Sequence, residues 1–378
     1  MKNILVIGNG FDLAHGLNTS YERFISFCEA VKYMNHLDEL SDMLIARKFE
    51  KSVLLQAKKF LGSKSVEADE FIELCKDNYW LRYVIEHKDT IGKRWCDLEY
   101  NIYIVINSLA YIMDHVDILE KPYNFKNVNH FDEILSLVYL IDTVNDLEED
   151  DIWRRFEVLK EYLLKNLNDL TWMLEIYLTK FLNRKSKRIE FFEKLSVSYV
   201  LSFNYTDTYR KMYGRDHSNI IYHYIHGQSI NNRTKNENNM VFGIGDFVDH
   251  ANSTNEYNFL DFQKYYQRII KKTGVLYKDW LKNIDNEHLN IIMYGHSLDV
   301  VDGDVIKDLV SCDKAKLMIV YYDQNALKSI VSNLIKILGK DLLISLTSTY
   351  KIEFFQTNEV EKINKQLHVI HHSETLIV

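Results

Sequence analysis

The chain has 378 residues, 47% of them hydrophobic, which is enough to bury a full core and to build two or three domains. Charged residues make up 26% and the formal net charge is −8, so no positive field draws in nucleic acid or an anionic membrane, and direct binding of either is not expected. Cys28, Cys75, Cys96 and Cys312 form no CxxC pair and have no histidine at zinc-finger spacing. That pattern points away from a metal site or a redox pair and predicts reduced, cytoplasmic thiols.

The chain opens on Asn3 to Ile7, a short β-branched run that stops at Gly8 and reads as a buried strand of a parallel sheet rather than as a signal peptide. Thr19 or Ser20 then caps a helix from about Tyr21 through Ala30. From Lys32 to Leu195 the pattern is helical nearly throughout, with weaker periods at Val53 to Phe60, Phe71 to Tyr83 and Leu98 to Met113. One long stripe runs from Ile152 through Leu163 and Leu174 to Phe181. The longest apolar run, around Ile102 to Met113, falls short of the roughly 20 residues of a membrane span and predicts a buried helix.

Strand character returns at Val197 to Phe203, Ile220 to Ile225, Val241 to Ile244, Asn290 to Tyr294 and Leu317 to Tyr322. Helices are expected at about Phe259 to Lys272 and Leu327 to Leu338. Strands alternating with helices predict an α/β fold, a mostly parallel sheet flanked by helices. The expected division is one sheet domain from residues 1–35 and 196–350, an all-helical insertion at 36–195, and a C-terminal extension at 351–378.

Three motifs carry chemistry. Gly8-Asn9-Gly10-Phe11-Asp12 follows a strand and precedes a helix, the context in which glycines let a backbone approach a dinucleotide pyrophosphate. Leu13 stands where a G-x-G-x-x-G fingerprint needs glycine, and no Walker lysine follows. The alternative is a tight turn with no ligand. Next, Asn204 and Asp207 follow one strand and His226-Gly227 the next, so parallel strands would present an amide, a carboxylate and an imidazole at one sheet edge. Last, Gly295-His296-Ser297-Leu298 also follows a strand. It is close to a nucleophile elbow, and a triad of Ser297, Asp323 and His371 keeps an esterase-like hydrolase open. Asp299 in place of the last glycine, and the delay of the next helix by Asp302-Gly303-Asp304, favour a nucleotide-contacting loop.

In this order the motifs resemble the bacteriophage abortive-infection AbiH family, whose members are similar to sirtuins. The resemblance rests on Gly8 to Asp12, Gly16-Leu17, Thr19-Ser20-Tyr21, Phe24, Phe203 to Asp207, Ile225-His226-Gly227 and Gly295 to Leu298. Trp95, Asp97, Leu98 and Glu99 resemble a further family feature without an assigned role. Asn18, Asp12 and the absence of zinc cysteines depart from the sirtuin pattern, which leaves the nucleotide half of such a site.

The resemblance implies a Rossmann-like, sirtuin-like domain and an anti-phage protein with NAD as substrate or ligand, cleaved to nicotinamide and ADP-ribose by a glycohydrolase. A nucleotide-binding sensor or scaffold without turnover is the alternative. In the glycohydrolase reading Asn204 orients the nicotinamide ribose or the attacking water, His226 is the general base and Asp207 holds the loop. The backbone of Gly8, Asn9, Gly10 and Phe11 holds the pyrophosphate, with Asp12 at the nicotinamide end, Ser297 at the adenosine side, and Gly227 and Gly295 in the flanking turns. A phage-derived trigger and a homo-oligomer are expected partners.

Overall fold

In the computed structural model, residues 2–34, 49–63, 65–92, 94–143, 151–182, 186–215, 219–245, 256–282 and 289–374 are described. Six strands, β1 (Lys2–Ile7), β2 (Tyr199–Ser202), β3 (Ile221–Tyr224), β4 (Leu289–Tyr294), β5 (Ala315–Tyr321) and β6 (Ile352–Gln356), form one sheet in the order β3-β2-β1-β4-β5-β6. Every neighbouring pair is parallel. All-parallel pairing in this order is the Rossmann arrangement, so the fold is α/β and Rossmann-like, as the alternation of strands and helices predicts.

The apolar runs become strands because both faces of the sheet are covered. Ile4, Val6, Leu201, Ile291, Met293, Leu317 and Ile319 pack on one face against Trp280, Ile306, Leu309 and Leu334. Leu5, Ile7, Val200, Ile292, Met318 and Val320 pack on the other against Phe11, Phe192, Tyr209, Tyr213, Ile363 and Leu367. Alternate residues of each strand therefore bury in opposite directions, which leaves few polar positions to break the run. Asn3 and Asn290 are the polar rung between β1 and β4. They are register partners, and the Asn290 amide donates to Asn3 Oδ1 at 3.0 Å while Asn3 Nδ2 donates to Ser196 O at 2.7 Å. A one-residue slip would strand both amides in the core.

The chain divides into two compact units: Met1–Thr19, Leu182–Ile230 and Lys271–Val378 form the first, and Ser20–Phe181 with Asn231–Ile270 the second. These bounds differ from those drawn on the sequence: residues 20–35 fall in the second unit and residues 182–195 in the first. β6 lies inside the stretch expected to extend beyond the sheet and is its edge strand. Residues 231–270 belong to the helical unit.

Within the helical unit, the period from Phe71 to Tyr83 is cut at Asn78. Its side chain caps the helix Tyr79–Glu86 through the Leu81 N–H and donates to Asn166 O at 2.7 Å, so two helices, Val66–Asp77 and Tyr79–Glu86, replace one. The helix Trp95–Asp114 buries Ile102, Val105, Ile106, Leu109 and Ile112. Among the described residues no helix is long and apolar enough to cross a membrane.

Val241 to Ile244 is not a strand. Gln267 takes both main-chain groups of Phe242, its Oε1 accepting the N–H and its Nε2 donating to the C=O, each at 3.0 Å, and only Ile244 forms a bridge, to Gln263. A side-chain amide thus does what a neighbouring strand would do. The expected helix from Phe259 is two pieces, the 3-10 turns Glu256–Phe262, themselves kinked at Phe259, and the helix Lys264–Ile270. The helix expected from Leu327 begins at Gln324, where Asp323 caps it by accepting from Ala326 N.

Candidate functional site

β1 to β4 all end at the same edge of the sheet, and the residues that follow them meet there. The glycine turn after β1 is itself helical, Asn9–Ala14. His15 Nδ1 donates to Phe11 O at 2.7 Å, so its Nε2 accepts from the Tyr213 hydroxyl, also at 2.7 Å. Burial lowers the pKa of His15 below its ordinary value, which keeps this ring neutral. Asn9 Oδ1 accepts from the Thr19 hydroxyl at 2.6 Å and closes the segment.

The glycines of this turn serve close packing against the turn after β4. The Gly8 N–H donates to Tyr294 O, the Gly10 N–H to Gly295 O and the Phe11 N–H to Gly8 O. A Cβ on Gly10 would lie 2.7 Å from Gly295 Cα. One on Gly295, whose φ is +68°, would lie 2.3 Å from Phe11 N. Three of the four amides expected to cradle a pyrophosphate are therefore bound to carbonyls, and the Phe11 side chain is core, stacked among His15, Phe192 and Tyr209.

Asp12 is the chemically distinctive residue of the turn. Its carboxyl is 1% exposed, Oδ2 accepts from the Thr206 hydroxyl at 2.5 Å, and Thr208 donates in turn to Thr206 at 3.0 Å. Oδ1 is buried without a hydrogen-bond partner among the described residues. Desolvation raises this carboxyl from 3.8 to about 6, against the hydrogen bonding of Thr206, Thr208 and Asn204 and with a small further push from the charge on Asp207. Near neutral pH it exchanges between acid and carboxylate.

From the end of β2, Asn204 reaches back to β1. Its Nδ2 donates to Gly8 O at 2.9 Å, and the Ser202 hydroxyl accepts the Asn204 N–H at 3.1 Å, which fixes the amide plane at the sheet edge. Asp207 pairs with Lys211 at 2.7 Å at the start of the helix Thr208–Tyr213.

His226, after β3, is buried and sits against Asp302, with Nε2 3.0 Å from Oδ1. The same carboxylate meets His296 from the turn after β4, its Oδ2 3.5 Å from Nε2. Phe203 walls both imidazoles, with ring centroids 5.4 Å from His226 and 4.1 Å from His296. Gly227 completes the turn with φ +75°.

Ser297 is half-buried, and its carbonyl accepts from Asn333 Nδ2 at 3.1 Å. The positive φ of this turn falls on Gly295 and on Leu298, at +51°, and not on the serine as a nucleophile elbow would have it. Asp323 is an exposed helix cap, and the His371 side chain of the drawn triad lies outside those described.

The structure groups Asp12 with Asn204, Thr206 and Thr208, and His226 with Asp302 and His296; Thr206, Thr208, His296 and Asp302 had no role assigned from the sequence. The signal for Asp302 was present but pointed elsewhere, since Asp302-Gly303 reads as an ordinary helix start. Glu99, from the feature without a role, forms a buried ion pair with Lys264 at 2.8 Å in the helical unit. Trp95, one turn earlier, packs edge-on against Phe242. Among the described residues no group of three metal-ligating side chains is gathered.

A family model described as bacteriophage abortive infection AbiH matches residues 4–323 of the chain. No curated protein and no solved structure matches it.

Proposed function

From the premise that the chain belongs to the bacteriophage abortive infection AbiH family, and so serves anti-phage abortive infection, we propose that it acts as an NAD glycohydrolase. The observation that carries this reading is that Asp12, Asn204 and His226 follow three adjacent parallel strands at one edge of the sheet, with one oxygen of Asp12 buried and unsatisfied among the described residues. Ligands of open α/β sheets bind at this edge. A buried carboxyl with a spare acceptor, a fixed amide and an imidazole suit a ribose whose anomeric carbon is turning into an oxocarbenium ion.

In the reaction the bond from C1′ to the nicotinamide nitrogen breaks, and its electron pair neutralises the pyridinium. Water adds to C1′ and gives its proton to a base. Asn204, its Nδ2 committed to Gly8 O, offers its other face to a ribose hydroxyl or to the water. Asp12 in its ionised form stabilises the cationic ribose, and His226 takes the proton, for which a neutral imidazole suits pH 7. Asp207, tied to Lys211, only shapes the loop. The pyrophosphate is not assigned to the amides of Gly8, Gly10 and Phe11, because those are satisfied inside the protein. Ser297, on the turn after β4, remains the adenosine-side contact.

The test is nicotinamide release by the purified protein, with total NAD measured in infected cells. His226→Ala and Asn204→Ala should each lose about a hundredfold or more in cleavage and lose phage protection. Protection by the unmodified protein while the cellular NAD pool stays level would overturn the glycohydrolase and favour the nucleotide sensor.

A further inference from the structure

Asp302 occupies the N-cap position of the helix Gly303–Ser311, where an aspartate normally accepts a backbone N–H. Here the side chain makes no capping bond. The preceding Asp299 takes the local work instead, with Oδ1 accepting from Val301 N and Oδ2 from Asn333 Nδ2 at 3.3 Å. The carboxylate of Asp302, a residue 6% exposed, stands between two imidazoles brought by different strands, at 3.0 Å from His226 Nε2 and 3.5 Å from His296 Nε2.

His296 settles the polarity of the group. Its Nδ1 accepts the Leu298 N–H at 2.9 Å, so a neutral ring carries its proton on Nε2, the nitrogen that faces Asp302. The carboxylate is therefore an acceptor toward His296. At His226 the contact has ion-pair length but lies off the line of a full hydrogen bond. Such contacts commonly tighten only when substrate completes the site.

We propose that Asp302 is a positioning residue of the site: it takes the Nε2–H of His226 on one oxygen and that of His296 on the other, so that Nδ1 is the basic nitrogen of His226. The catalytic half of this statement rests on the NAD-cleaving reading; the tautomer half does not. Since a neutral imidazole offers only one lone pair, the carboxylate decides which nitrogen receives a proton, and it holds the ring against the Phe203 wall while it does so. His296 is the second anchor that stops the Asp302 side chain from turning away.

The first measurement is long-range proton–nitrogen correlation on the ring nitrogens of the full-length protein labelled with nitrogen-15, without substrate. Both His226 and His296 should be protonated on Nε2 in the neutral form. Protonation of His226 on Nδ1 overturns the proposal, whatever the protein does to NAD. Asp302→Asn, nearly isosteric, should change the ring spectrum of at least one histidine. It should also lower kcat for nicotinamide release on the order of a hundredfold with KM within about twofold. Asp302→Glu, which restores the charge, should fall between the two. Unchanged ring spectra and unchanged kcat in Asp302→Asn would also overturn it. If the unmodified protein releases no nicotinamide, the NAD reading fails alone and the ring spectra still decide the role of Asp302.

Discussion

Asp12 gives the sharpest quantitative expectation, because a buried carboxyl raised from 3.8 to about 6 makes stability depend on pH in a calculable way. Between those two values the folded protein holds a proton that the unfolded chain has released. By linkage, stability then falls as pH rises through about 4 to 6, and it levels off by about pH 7. The whole difference, about two units, corresponds to roughly 3 kcal/mol, of which about half falls between pH 5 and pH 7. Asp12→Asn keeps the shape and an acceptor for the Thr206 hydroxyl but carries no charge. Urea midpoints of both proteins, measured from pH 5 to pH 8 with coincident probes, isolate this one group, since every other titration is common to both. The variant should gain on the unmodified protein by roughly 1.5 kcal/mol as pH rises from 5 to 7. A gain that does not change with pH, or a variant that loses ground as pH rises, would refute the argument, because it would mean that the carboxylate is as well solvated folded as unfolded.

Two further perturbations test the packing. Gly295→Ala places a Cβ against Phe11 N at a backbone conformation of φ +68°, so the thermal midpoint should fall by an amount equivalent to about 1–3 kcal/mol, and an unchanged midpoint would show that the two turns are not in contact. By the same geometry Gly10→Val should report on folding before it reports on any ligand. In the helical unit, Lys264→Met leaves the Glu99 carboxylate buried and should cost about 3–5 kcal/mol, while the double variant with Glu99→Leu should recover most of it, as a calorimetric cycle would reveal.

The central strands were legible because burial on both faces turns their residues into uninterrupted apolar runs. The same signature misleads at Val241 to Ile244, which has the composition of a strand, while its main-chain partners come from Gln267, more than twenty residues away. β6 escaped for the opposite reason. As an edge strand it carries Glu353, paired with Lys316 on β5, so its run is polar at a position where the inner strands are not. Asp12, Asn204 and His226 were visible as residues that follow strands. His296 also follows a strand, but its role and that of Asp302 depend on a contact between segments that no local pattern records.

The two carboxyls of the site are held in different ways, and the difference bears on the proposed chemistry. Asp302 faces imidazole N–H groups; among the described residues Asp12 faces hydroxyls and an amide and no cation, so its charged form is the costly one. A substrate that arrives with a positive charge, and whose ribose becomes more cationic as the bond breaks, supplies what Asp12 lacks. The destabilisation stored in the resting protein is then relieved most in the transition state, where an interaction lowers the barrier instead of merely tightening binding. Asp12→Asn removes the stored cost and the relief together. The variant should therefore be more stable at pH 7 and also slower at releasing nicotinamide, the opposed pair of changes expected where a protein holds an unfavourable group for its function. A variant that is more stable and equally active would leave the carboxyl of Asp12 without a part in the reaction.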